Sequence, residues 1–185
     1  VLVYILLIAV VIGHISPSKL IKKVLPVYTF AFSSASSNAT IPLTLKACDT
    51  MGISREVSSF TIPLGATINM DGTAIYQGVA VVFIANAYGM NLTTGQLITV
   101  VLTAVLASIG TAGVPGSGMI MLSMVLASIG LPVEGIALIA SVERIVDMFR
   151  TALNVTGDVV VTTVCAKTEK MFDQAIYDSN QTAQM

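Results

Sequence analysis

The chain has 185 residues, 55% of them hydrophobic and only 10% charged, with a net charge of −1 and a mean hydropathy of +0.87. A soluble domain carries roughly 25% charged residues, so the composition points to a membrane protein with the lipid bilayer as a partner. The few basic residues are scattered, which leaves no basis for nucleic-acid binding. Cys48 and Cys165 stand apart, without a C-x-x-C or a neighbouring histidine, and read as small buried apolar residues.

Residues 1–14 are apolar (VLVYILLIAVVI) and begin without Met or a basic leader. They read as the end of a transmembrane helix, and the chain as a fragment of a longer protein. His14, the single histidine, reads as interfacial. Residues 15–52 read as a re-entrant hairpin. Ser16-Pro17 opens its first arm, the small polar run Ser33 to Thr40 forms its tip, and a second short arm runs to Met51-Gly52. A spanning helix needs about 20 apolar residues, and neither arm supplies them.

Residues 53–90 read as a transmembrane helix broken by Asn69-Met70-Asp71-Gly72-Thr73. Residues 91–131 repeat the hairpin, with a tip from Gly110 to Gly118 that holds four glycines. A plain turn needs one or two glycines, so this tip reads as a gate where backbone approaches a ligand and hinges. Residues 132–168 form a second broken transmembrane helix, and residues 169–185 read as a polar, solvated cytoplasmic tail. The order "hairpin, then interrupted helix" thus occurs twice, which is the sequence mark of a secondary transporter's binding site. Non-helical backbone at membrane depth survives only against protein or a polar cavity.

Asp147, Arg150, Thr151, Asn154 and Asp158 are three or four residues apart, which puts them on one helix face, and Glu143 extends that face by a turn. Each charge costs roughly 2.5–3.5 kcal/mol at mid-bilayer. A purely structural reading is an Asp147–Arg150 ion pair that glues helices. Buried pairs rarely stabilise on their own account, so function is the stronger reading. Arg150 offers a planar fork for a carboxylate, and Asp147 an acceptor for an ammonium. Asn154 and Asp158, with Asn69, Asp71 and carbonyls at Gly65 and Thr67, offer hard oxygens to a small cation.

Four stretches carry a family resemblance: Ser36-Ser37-Asn38-Ala39-Thr40-Ile41-Pro42, Gly65 to Thr73, Ser108 to Gly116, and Asp147 to Asp158. Over about residues 15–170 the chain resembles the carboxy-terminal core of the dicarboxylate/amino acid:cation symporters, the glutamate/aspartate transporter-like proteins. The resemblance implies an all-α membrane protein with two re-entrant helical hairpins and two broken transmembrane helices. It implies a transport domain that moves like an elevator, with the second hairpin as gate. It also implies a homotrimer, formed through scaffold helices outside this chain, as a multi-pass protein of the cell membrane.

The resemblance further implies roles for residues. Arg150 would bind the substrate's side-chain carboxylate and Asp147 its amino group. Thr73, Thr151 and Asn154 would line the pocket, with Ser37 and the backbone of Val114 and Gly118 around the α-carboxylate. One sodium site would draw on Gly65, Asn69, Asn154 and Asp158, and a second on carbonyls of Thr67, Ser108, Ile109 and Thr111. A third would use Asn69 and Asp71 with residues outside this chain.

Relatives that carry neutral amino acids tend to lack the arginine at the Arg150 position, and relatives that carry dicarboxylates tend to lack the acids at Asp147 and Asp158, so the resemblance implies an acidic amino acid and sodium. Gln77 stands where animal relatives carry a proton-bearing glutamate, which speaks against proton transport through that position. Ala35 stands where archaeal relatives carry an arginine, so a second basic group is expected near Glu143-Arg144. The reading is a sodium-coupled symporter of glutamate or aspartate, not an enzyme and without a cofactor beyond the coupling ion. The alternative is a proton-coupled glutamate or C4-dicarboxylate symporter. An ion channel leaves the Asp147/Arg150 pair without a purpose. An intramembrane hydrolase built on Ser36, Ser37 or Ser117 lacks a histidine base, H-E-x-x-H and G-x-S-x-G.

Overall fold

A computed structural model describes residues 14–179, 182 and 183. The helix end expected over residues 1–14 therefore lies outside the described residues, His14 apart. Among the described residues the chain is all helical, and the one β-type contact is an isolated bridge between Ile53 and Phe172.

Helix α1 (Pro17–Ser34) starts on its proline, although the Ser16 hydroxyl meets Ser18 instead of capping the helix. Ala35 then takes a left-handed conformation (φ 51°), which ends α1. Ser36 starts α2 (Ser37–Thr50) by accepting the Ala39 amide, the ordinary job of a serine N-cap. The two arms pack on each other and both lie on α7 (Ala140–Thr168).

Helices α3 (Arg55–Ile68) and α4 (Asp71–Ala87) are one apolar rod interrupted at Asn69-Met70. Together, Arg55–Ala87 is the one stretch of the described residues long and apolar enough to cross a membrane. Helix α5 (Thr94–Ile109) opens with a capping box between Thr93 and Gln96. Helix α6 (Ser117–Ser128) returns beside it, and these two arms rest on α4.

A 3₁₀ segment (Val133–Leu138) leads into α7. The second interrupted helix thus differs from expectation, because its break falls at Ile139, ahead of the polar stripe. Within α7 the 29 residues are continuous. Glu143, Asp147, Arg150 and Thr151 pair among themselves, Asp147, Asn154 and Asp158 also find partners on neighbouring elements, and Thr156 and Thr163 bond carbonyls of their own helix, so no backbone bond has to open.

The tail also departs from expectation. A short helix α8 (Gln174–Asp178) folds back on the start of α1 and the α2–α3 turn. Tyr177 is 1% exposed and its hydroxyl donates to Ser16 O at 3.0 Å. The amides of Ser54 and Asp173 bond Met171 O and Gly52 O across the α2–α3 turn. The segment is polar in sequence, yet Phe172 and Tyr177 supply an apolar face that packs into the core around Leu20, Met51 and Ile53. Elsewhere the exterior is strongly apolar: Phe60, Leu106 and Ile120 are each about 70% exposed.

Candidate functional site

Both hairpin tips and the α3–α4 break converge on the middle of α7. The tips touch each other directly. Gly113 O accepts from the Ser36 hydroxyl (2.7 Å) and from the Asn38 amide (3.0 Å). A Cβ on Gly113 would stand 2.7 Å from Asn38 Oδ1, so glycine is what lets the tips meet.

Below them lies the charged cluster. Arg150 Nη2 is 2.9 Å from Asp147 Oδ1 and 3.0 Å from Glu143 Oε1, and all three side chains are at least 94% buried. The guanidinium carbon sits 4.6 Å from the Tyr76 ring centre, a cation–π contact. Its other side abuts Gly118, where any Cβ would overlap it. Asp147 Oδ2 accepts the Gly116 amide of hairpin 2 at 2.9 Å. Among the described residues no hydrogen-bond partner meets Arg150 Nη1 or Glu143 Oε2, both buried, and the Tyr76 hydroxyl lies beside these two side chains. Ser37, Thr73, Thr111, Val114, Asp147, Arg150, Thr151 and Asn154 border one cavity of about 10 Å³, room for about one water molecule.

One to two turns further along α7 is an oxygen-rich group. Asn69 Nδ2 donates to Asp158 Oδ1 (2.8 Å) and to Asn154 O (3.2 Å). Asn154 Oδ1 accepts the Gly72 amide at 2.7 Å, capping the broken start of α4. A Cβ on Gly65 would stand 2.5 Å from Asp158 Oδ1, so the α3 backbone lies directly on this carboxylate. Here the interruption of α3–α4 has its local cause. The amide at Gly72 and the chain around Asn69 bond to α7 side chains in place of a continuing helix.

The structure therefore brings together Ser37, Thr73, Val114, Asp147, Arg150, Thr151 and Asn154, with Gly118 against Arg150. It also gathers Gly65, Asn69, Asn154 and Asp158. The other expected cation ligands lie at the end of α3 (Thr67), the start of α4 (Asp71), the end of α5 (Ser108, Ile109) and in the tip that follows it (Thr111). Ser108 and Thr111 are buried, Thr67 and Asp71 are exposed, and Ile109 is 44% exposed. Arg144 is exposed, so it supplies no second basic group. Glu143 turns inward instead, as an acid. Gln77 is fully buried with both amide atoms unpartnered.

Sequence reasoning placed Glu143 on the stripe and Ser36 in the first tip but missed their contacts with Arg150 and Gly113, and it missed Tyr76 altogether. For Glu143 a signal existed, since seven residues before Arg150 is two helical turns and the same face. Tyr76 follows Gly72 by one turn on α4, which was enough to place it beside Arg150 once α4 was known to cross α7.

A buried arginine shared by two acids thus lies beneath two hairpin tips and beside an oxygen cluster. The chain belongs to the sodium:dicarboxylate symporter family, whose model matches residues 1–168. It is 49% identical over 129 residues to an excitatory amino acid transporter of Caenorhabditis elegans, covering 69% of this chain and 26% of that protein. It is 44% identical over 144 residues to the proton/glutamate-aspartate symporter of Escherichia coli (strain K12), covering 78% and 33%. To excitatory amino acid transporter 2 of Mus musculus it is 41% identical over 157 residues, covering 84% and 27%. The chain thus spans about a quarter to a third of the length of these curated relatives.

Proposed function

We propose that the chain is the solute-carrying core of a secondary active transporter for glutamate or aspartate, coupled to sodium and working by elevator-type alternating access. The observation that carries this reading is the buried Arg150, whose Nη1 has no partner and whose Nη2 is held by two acids. A solute carboxylate would take Nη1 and an ammonium would offset the surplus acid, with Asp147 as its acceptor. An acidic amino acid offers Nη1 a carboxylate and Asp147 an ammonium, whereas a dicarboxylate without an amine offers Asp147 no cation. The names of the Escherichia coli and animal relatives support an acidic amino acid.

The cation reading rests on the oxygens around Asp158. A rotated Asn69 amide would turn its oxygen to the same place as Asn154 O and Asp158 Oδ1. Carbonyl, amide and carboxylate oxygens suit a hard ion. A cavity of about 10 Å³ admits no amino acid, so one tip must lift, and hairpin 2 is the proposed gate. A homotrimer through scaffold helices beyond this chain, in the cell membrane and without enzymatic activity, completes the proposal.

A second reading is proton coupling, favoured by the name of the 44% identical Escherichia coli relative. Aspartate uptake by the full-length protein in proteoliposomes decides between the two. With sodium coupling, a sodium gradient at equal pH drives uptake, and Asp158→Asn raises the sodium concentration needed by about tenfold or more. Uptake driven by a proton gradient alone, indifferent to sodium, would replace this reading with the second.

A further inference from the structure

Glu143 has no assigned part in solute binding, yet it is 3% exposed at the centre of the charged cluster. Its Oε1 takes the same Arg150 nitrogen, Nη2, that Asp147 Oδ1 takes, at 3.0 and 2.9 Å. Along α7 the order is Glu143, Asp147, Arg150, so the two acids compete for one nitrogen and Glu143 pulls it toward the start of the helix. The Tyr76 ring covers one side of the group and Gly118 lies against it as well. A guanidinium is a rigid planar fork. Fixing Nη2 and the ring contact therefore fixes Nη1, the buried nitrogen with no partner.

We infer that Glu143 is a positioning residue: it sets how far the free Nη1 of Arg150 stands from Asp147, and so which length of acidic side chain the site accepts. The inference rests on the acidic amino-acid reading above. In that reading Arg150 holds the side-chain carboxylate and Asp147 the amino group, so the gap between them measures the solute. Aspartate and glutamate differ by one methylene, and so do aspartate and glutamate at position 143. An unbraced arginine would sample several rotamers and measure nothing.

The test is the ratio of aspartate to glutamate affinity, read by competition in proteoliposomes of the full-length protein. Glu143→Asp should draw Nη2 away from Asp147 by about a methylene and move the preference toward glutamate by about tenfold. Glu143→Gln keeps an acceptor at the same reach, so both affinities should fall while their ratio stays within about twofold. Glu143→Ala should bring the ratio toward one. A wild-type ratio in both Glu143→Asp and Glu143→Ala overturns the inference, as does an equal loss of both acids in Glu143→Asp. Melting curves identify variants that fail to fold. If Asp and Ala both fail, Glu143→Gln decides: a fall in both affinities at a ratio within about twofold supports the inference, and unchanged affinities or a changed ratio overturn it. Failure of the underlying reading looks different, because the wild-type protein would then bind neither acid.

Discussion

The two hairpins have the same plan and opposite anchoring. Hairpin 1 breaks over Ala35 and Ser36 only, and both its arms lie on α7. Its feet are tied as well, by Lys23 Nζ to Thr50 O at 2.7 Å and by the folded tail at Ser16 and Gly52. Hairpin 2 has a glycine-rich tip, with Gly116 at φ 79°, and its arms rest on α4. What joins its tip to the site is a small set of polar contacts, chiefly Gly116 N to Asp147 and Gly113 O to hairpin 1. A solute's own carboxylate and ammonium are of the same chemical kind as these groups and can compete for them. With hairpin 2 as the proposed gate, only its tip has so few contacts to break, because its arms share a buried apolar core with α4 through Val100, Ala104, Leu122, Val125 and Leu126. Local opening is drawn from regions with few buried apolar contacts.

Arg150→Cys should have the largest effect, since it removes the cation under hairpin 2 and the fork for the solute together. Leaving Glu143 and Asp147 buried without their counter-charge costs several kcal/mol. Calorimetry should show acidic-substrate affinity lowered about a hundredfold or more. Retained aspartate affinity would mean that hairpin 2 closes over something other than a solute carboxylate.

Gly113→Val should act next most strongly, and only through the meeting of the tips. Its branched side chain would collide with Asn38, and overpacking of this kind costs about 1–3 kcal/mol. The tips should separate in spin-label distance measurements, and affinity should fall about tenfold as the closed state loses population. If both hairpins shifted equally in those distances, the asymmetry drawn between them would be wrong.

Much of this site was legible beforehand because it is periodic. Spacings of three and four put the α7 stripe on one face, and Asn69-Met70-Asp71-Gly72 is too poor a helix former to hide a break. What was not legible depends on helix phase or on distant contacts. Spacing put Glu143 on the face of Arg150, yet Arg144, about 100° further around the axis, was still expected to help supply a second base, and packing turns it outward. The continuity of α7 through its polar stripe also depends on partners elsewhere, such as Gly116 and Gly72 for Asp147 and Asn154. The tail misled because its composition is polar. Only a fold that brings Ser16, Gly52 and Ile53 to one end gives Phe172 and Tyr177 somewhere to pack.

That tail provides the smallest expected effect on binding and the sharpest check on hairpin 1. Tyr177→Ala would empty a fully buried ring site and break the bond to Ser16 O. Large-to-small changes of this size cost about 3–5 kcal/mol, so the melting temperature should fall by several degrees. Tyr177→Phe loses only the hydroxyl contact and should cost about 1 kcal/mol. Both substitutions lie at the feet of hairpin 1, at the end of α7 away from Arg150. With hairpin 1 acting as a fixed wall, solute affinity below the melting transition should change less than about twofold. A tenfold loss of affinity at unchanged melting temperature would show that the feet of hairpin 1 move during binding, and both hairpins would then have to be treated as gates.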